Sequence, residues 1–105
     1  MSTVRFTLNS ARISNMEMVN VYNTAEYLQA NPDQKVVIVG YADKDTGSSA
    51  YNMSLSKRRA EAVKKALVEK YGISADRLTV KAEGSDSQPY SENNWNRIVI
   101  FSVAE

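Results

Sequence analysis

The chain has 105 residues, with thirteen basic and twelve acidic side chains, no cysteine and no histidine. That length supports one domain with a buried core, and the near-balanced charge excludes a nucleic-acid binder, whose phosphate contacts need a clear basic excess. Without cysteine or histidine there is no disulfide, no thiolate metal site, no cysteine nucleophile and no histidine general base, and no run approaches the roughly eighteen apolar residues of a membrane span.

Met1 and Ser2 read as an added start on an excised domain, residues 3–105, so the missing export signal says nothing against an extracytoplasmic location. Thr3 to Leu8 alternates, with Val4, Phe6 and Leu8 on one side and Thr3, Arg5 and Thr7 on the other, which predicts a half-buried strand. Ser14 followed by Glu17 is a capping box that opens a helix. Met18, Val21, Tyr22, Ala25 and Leu28 form its stripe, and Asn31-Pro32 ends it. Lys35 to Ala42 is a short valine-rich run, the pattern of a central strand.

Asp43 to Asn52 is loop by composition, rich in Gly, Ser and Asp. A second helix is predicted from about Ser54 to Tyr71, with Ser54 or Ser56 as its N-cap and Gly72 as its stop. Arg77 to Ala82 alternates as a strand, Glu83 to Asn94 is a polar loop around Pro89, and Asn96 to Val103 closes the chain as a strand. The order βαβαββ predicts an α+β fold, a two-layer α/β sandwich with a mixed sheet and both helices packed on one face.

The second helix carries a charge in the wrong place. Its apolar stripe runs through Leu55, Ala62, Val63, Ala66, Leu67 and Tyr71, while Lys57, Arg58, Glu61, Lys64, Lys65 and Glu69 make a solvated face. Arg59, four after Leu55 and four before Val63, falls within the stripe. A guanidinium there must meet a carboxylate, snorkel to water or bind a ligand, and a plain structural ion pair is one reading. Asp43, just past the valine-rich strand, is the candidate partner, because ligands in open α/β sheets favour the crevice at the carboxyl ends of strands. Alone, Asp43 also reads as an ordinary turn aspartate. Together the two complement a zwitterionic amino-acid head group: a carboxylate for its ammonium and a planar fork for its carboxylate.

Gly40-Tyr41-Ala42-Asp43, Gly47, Tyr51-Asn52 and Leu55-Ser56-x-x-Arg59-Ala60 resemble the signature of the OmpA-like C-terminal family, as do Tyr71-Gly72-Ile73, Arg77-Leu78, Gly84 and Asn96-Arg97-Ile98-Val99. The resemblance covers nearly the whole chain. It implies non-covalent binding of peptidoglycan through the diaminopimelate residue of the stem peptide, by a periplasmic domain of an outer-membrane protein that uses no cofactor and makes no membrane contact itself; a homodimer stays open. Carried over by position, Asp43 would accept the ammonium and Arg59 the adjacent carboxylate, while Asn9, Ala42, Asn52, Leu55 and Arg97 would line or support the pocket. Three departures stand out: Ala42 replaces a common threonine, Thr7 stands near a common aspartate, and Ile98 replaces the second arginine of the usual ending. Loss of Arg59 is expected to abolish binding and leave the fold intact.

Other chemistries fit less well. Ser54-Leu55-Ser56-Lys57 matches the S-x-x-K pattern of penicillin-binding enzymes but lacks the S-D-N and K-T-G partners. Asp43 to Gly47 resembles the start of a calcium loop, yet glycine comes one position early and Ser54 stands where a bidentate glutamate is required. Asn52-Met53-Ser54 fits a glycosylation sequon, a pattern without weight by itself. A module that docks a protein partner is the main alternative; Tyr41, Tyr51, Tyr90 and Trp95 could supply its contacts, although they read more simply as packing residues, with Trp95 anchoring the last strand.

Overall fold

In the computed structural model, which describes residues 1–104, each element can be traced to its local cause. Ser14 Oγ accepts from the Glu17 backbone N–H at 3.2 Å and opens helix α1, Asn15–Ala30. Only half of the expected capping box forms. Glu17 Oε1 instead accepts from the Arg5 backbone N–H at 2.7 Å, which stitches the first turn of α1 to strand β1, Val4–Arg5. Val21, Ala25 and Leu28 are buried as the stripe requires, but Tyr22 is exposed, its ring 5.6 Å from that of Tyr71.

The first strand is shorter than its alternation implies. After Arg5 the pairing reduces to one further bond, Phe6 N–H to Arg97 O at 2.8 Å, and the chain turns through Asn9 at φ 54°. Leu8 therefore lies outside the sheet and is exposed.

Helix α2 spans Ser49–Glu69 and starts earlier than expected, because Ser48 rather than Ser54 or Ser56 caps it by accepting from the Tyr51 N–H at 3.1 Å. The serines that mark a loop by composition are also the residues that a helix N-terminus prefers. At the other end Gly72 takes φ 70°, and the Gly72 and Ile73 N–H groups donate back to Val68 O and Leu67 O. This glycine closes the helix as expected.

Strands β2 (Lys35–Tyr41), β3 (Leu78–Gly84) and β4 (Ile98–Ala104) join β1 in a sheet of order β1-β4-β2-β3. The valine-rich β2 is central, antiparallel to β4 and parallel to β3, and two helices pack on this mixed sheet. Val4, Val21, Leu28, Val36, Ile38, Val63, Leu67 and Val99 form its core, all 0% exposed; a buried side chain of this size contributes about 1.5–3 kcal/mol. Arg77 fastens the lower end of the layers, donating to the carbonyls of Leu28, Asn31 and Gln34 at 2.7–3.0 Å. Of these, the Leu28 carbonyl is one that the end of α1 leaves open, and the other two belong to the turn that follows the helix.

One contact sets the position of α2. A Cβ at Gly40 would lie 2.0 Å from the Ser56 carbonyl oxygen and 3.2 Å from the Ala60 side chain. Helix and strand backbones thus meet directly at Gly40, which holds Arg59 beside the carboxyl end of β2.

Candidate functional site

Beyond Gly40 the β2–β3 ladder shifts register, pairing Tyr41 with Gly84, and the Ala42 N–H donates to Gly84 O at 2.8 Å. Asp43 follows at the end of this ledge and is 3% exposed. The next turn is clamped by Asn52, whose Nδ2 donates to Thr46 O at 2.8 Å and Asp43 O at 3.2 Å. Asn52 is 2% exposed and its amide is committed to this clamp, so the sequon it begins is not presented to solvent.

The structure changes the partner of Asp43. The Asp43 carboxylate pairs with Arg97, whose Nε donates to Oδ2 at 2.7 Å, while Thr46 Oγ1 and Asn93 Nδ2 donate to Oδ1 at 2.6 and 3.1 Å. Burial pushes the carboxyl up, but hydrogen bonds from Thr46, Arg97 and Asn93, together with the charge of Arg97, hold it below the usual carboxylate range. The sequence reading gave Arg97 a supporting place; its ion pair with Asp43 comes from β4 running back beside β2, a pairing that sequence spacing does not reveal.

Arg59 is the largest fully buried side chain, 1% exposed, as its place in the stripe implies. Among the described residues it meets no carboxylate within 4.0 Å, so the plain structural ion pair with Asp43, one of the readings open from the sequence, is not formed. Its Nε, Nη1 and Nη2 donate instead to Ser10 O, Tyr41 O and Thr7 O at 2.8, 3.0 and 3.1 Å, and its Cζ stands 5.4 Å from the Phe6 ring centroid. Burial pushes the guanidinium down to about 10, with the charge of Asp43 opposing that shift and Arg97 adding to it. It remains a cation at neutral pH. Three of its five N–H donors are used, and two remain.

The other expected residues divide into two groups. Ala42 and Leu55 are buried walls at 1% and 3% exposure, and Ala42 O accepts from Gln88 Nε2 at 3.0 Å. Asn9 is exposed on the left-handed turn of the loop that Arg59 holds, and is not tied to Asp43. Two residues that the sequence reading missed, Gln88 and Asn93, come from the polar segment after β3; Asn93 binds the Asp43 carboxylate and Gln88 binds the carbonyl of the preceding Ala42. Gln88 Oε1 and Asn93 Oδ1 are buried there and find no donor among the described residues. A loop of small polar residues offers no periodic signal from which such an approach could be read.

Trp95 also departs from expectation. It lies in the 3-10 turn Asn93–Asn96, is 43% exposed, and sits 5.9 Å from the Tyr90 ring with Arg5 5.0 Å above it, so it is not a core anchor of β4. Ser54 and Lys57 are exposed on α2, and Lys57 Nζ lies 3.9 Å from Glu61 on the solvated face. Among the described residues, no helix is long and apolar enough to cross a membrane.

Comparison with known proteins agrees with this architecture. The chain is 55% identical over 104 residues to outer membrane protein 40 of Porphyromonas gingivalis, covering 99% of this chain and 27% of that protein. It is 37% identical over 97 residues to outer membrane protein 41 of the same organism, covering 92% of this chain and 24% of that one. It therefore spans about a quarter of the length of these relatives. Among solved structures, the peptidoglycan-associated lipoprotein of Burkholderia pseudomallei superposes with a TM-score of 0.87 at 26% identity, covering 99% of this chain and 91% of that one. The cell wall anchor of the T6SS from Pseudomonas aeruginosa does so with a TM-score of 0.75 at 25% identity, covering 98% and 80%. The profile of the OmpA family matches residues 5–99, and the chain belongs to that family.

Proposed function

We propose that this chain binds peptidoglycan non-covalently and without catalysis or cofactor, as a periplasmic domain that tethers an outer-membrane protein to the cell wall. The grip is on the diaminopimelate residue of the stem peptide, with Asp43 taking the ammonium and Arg59 the adjacent carboxylate. The observation that carries this reading is the presence, at the carboxyl end of β2, of a buried carboxylate and, close enough to feel its charge but not in contact with it, a buried guanidinium that has no carboxylate of its own. Among the relatives, a peptidoglycan-associated lipoprotein and a cell wall anchor share the fold.

The polar groups around Asp43 suit an ammonium in particular. Asn93 Nδ2 stands where a ligand N–H would point, and the unpartnered Gln88 Oε1 in the same loop can accept a further donor. An ammonium has three donors to offer. Entry then requires Asn93 to yield its place on Asp43, while Arg97 keeps the carboxylate ionised. Arg59 contributes its two unused N–H groups to the ligand carboxylate. Ala42, Leu55 and Asn52 form and brace the wall, and Asn9 lies on the rim.

A charged group in a partly wet site loses much of its pairing energy to desolvation, which places Kd at about 10⁻⁵ to 10⁻³ M; many copies facing one polymer compensate through effective concentration. The test is calorimetric titration with a diaminopimelate-containing stem peptide beside its lysine-containing counterpart. The lysine form lacks the second amino-carboxylate centre. Saturable heat with the first and none with the second supports the reading; silence with both moves the search to protein partners.

A further inference from the structure

We propose that the sheet face turned away from the helices binds, at its Asp43 end, a sugar ring of the glycan strand that carries the stem peptide, with Trp95 and Tyr41 as the stacking rings. This rests on the peptidoglycan reading above and extends it from the peptide to the sugar polymer.

Strand alternation places these groups. A Cβ at Gly40 would meet Ser56 and Ala60 of α2, so Gly40 and its register partner Val99 point to the helices, and their neighbours Tyr41 and Ile98 point away. Arg5, the register partner of Ile98, completes a row across β1, β4 and β2, in which Arg5 and Tyr41 stand two ladder spacings apart, about 10 Å. Lys81 and Glu83 of β3 flank Tyr41: burial raises the pKa of its hydroxyl, with the charge of Glu83 adding to the shift and Lys81 opposing it. Ile98 and Val39 lie outside the core cluster beneath the helices, yet they are 0% and 7% exposed. This end of the face therefore offers solvent rings and charges, with its aliphatic side chains covered.

Trp95 is exposed and held in place. Arg5 Cζ lies 5.0 Å from its ring centroid and Tyr90 meets it edge-on at 5.9 Å. Buried Asn96 clamps the segment, accepting from the Tyr90 N–H and donating to Tyr90 O, both at 2.9 Å. A ring fixed in this way loses little freedom when a ligand stacks on it. Asn93 and Arg97, on either side of Trp95 in the chain, both bind the Asp43 carboxylate, so the ring and the Asp43 site share one short segment. A sugar ring has an apolar C–H face edged by hydroxyls, which suits aromatic rings framed by Arg5, Lys81 and Glu83. Ile98 keeps the row apolar between the rings, where the family signature has a second arginine. A protein partner would instead need a contiguous patch burying roughly 1,200 Å² or more in total.

Titration of the whole chain with the diaminopimelate stem peptide, alone and joined to a disaccharide of the glycan strand, tests this. The joined form should bind about three- to tenfold more tightly, the scale of one aromatic stacking contact. Trp95→Ala and Tyr41→Ala should each shrink that ratio toward one, while Trp95→Phe, which keeps a ring, should retain most of it. Trp95 is the only tryptophan of the chain, so its emission should shift more with the joined form than with the peptide alone. Equal binding of the two by the unaltered chain, or a ratio that survives in both alanine variants, overturns the platform while the peptidoglycan reading stands. If neither binds, both fall. The free disaccharide at matched concentration should give no saturable signal; binding as tight as that of the joined form would make this a general sugar site and overturn the assignment to the glycan strand.

Discussion

Replacement of Arg59 by alanine removes three charged hydrogen bonds at once, to Thr7 O, Ser10 O and Tyr41 O, from a side chain 1% exposed. The sequence alone suggested that such a change would spare the fold. The geometry gives a different result, because these bonds tie the loop after β1 to the end of β2. Each hydrogen bond to a charged group is worth about 1.5–3 kcal/mol. Relief from burying the guanidinium, and water entering the space it leaves, offset part of the sum. The expected net loss is about 2–5 kcal/mol, which in a domain of this size lowers Tm by roughly 10–25 °C. Urea unfolding followed by circular dichroism at pH 7 measures it, with an unchanged slope required for the comparison. A loss under about 1 kcal/mol would refute the reasoning, since the three carbonyls would then not depend on Arg59. It would also restore Arg59→Ala as a clean probe of binding.

Asp43 gives a pH signature. Its folded carboxyl titrates below the usual range, so the unfolded chain takes up the proton first, and the stabilisation is present above about pH 4 and lost as pH falls through the folded value. Urea midpoints between pH 6 and pH 2.5 should therefore fall more steeply for the unaltered chain than for Asp43→Asn; parallel curves would remove Asp43 as the cause. Asn93→Ala should tighten binding of the diaminopimelate peptide about two- to fivefold, by freeing a carboxylate that a neutral hydrogen bond worth about 0.5–1.5 kcal/mol now occupies; weaker binding in calorimetry would show that Asn93 helps hold the ligand instead. Gly40→Ala places a Cβ 2.0 Å from Ser56 O, and the resulting shift of α2 should cost about 3 kcal/mol or more. A thermal midpoint within a few degrees of the unaltered chain would contradict the close helix–strand contact.

Much of this protein was legible in its residues. The valine run of β2, the Val21-Ala25-Leu28 stripe, the glycine after α2 and the placement of Arg59 among apolar neighbours all follow from local periodicity, which reports which faces are buried. The family signature likewise named Asp43, Asn52 and Arg97, which the fold joins by hydrogen bonds.

Periodicity does not report partners. Whether Asp43 met Arg59 or Arg97 depended on β4 lying antiparallel beside β2, a long-range pairing with no trace in spacing. The same limit hid the bonds of Gln88 to Ala42 and of Asn93 to Asp43, the exposure of Trp95, and the start of α2 at Ser49, where serines suit a loop and a helix cap equally well. The sequence by itself determined which side chains must leave water. The tertiary structure decided what each buried charge touches, because hydrogen bonds and ion pairs are directional and act over a few ångströms, between residues that the fold alone brings together.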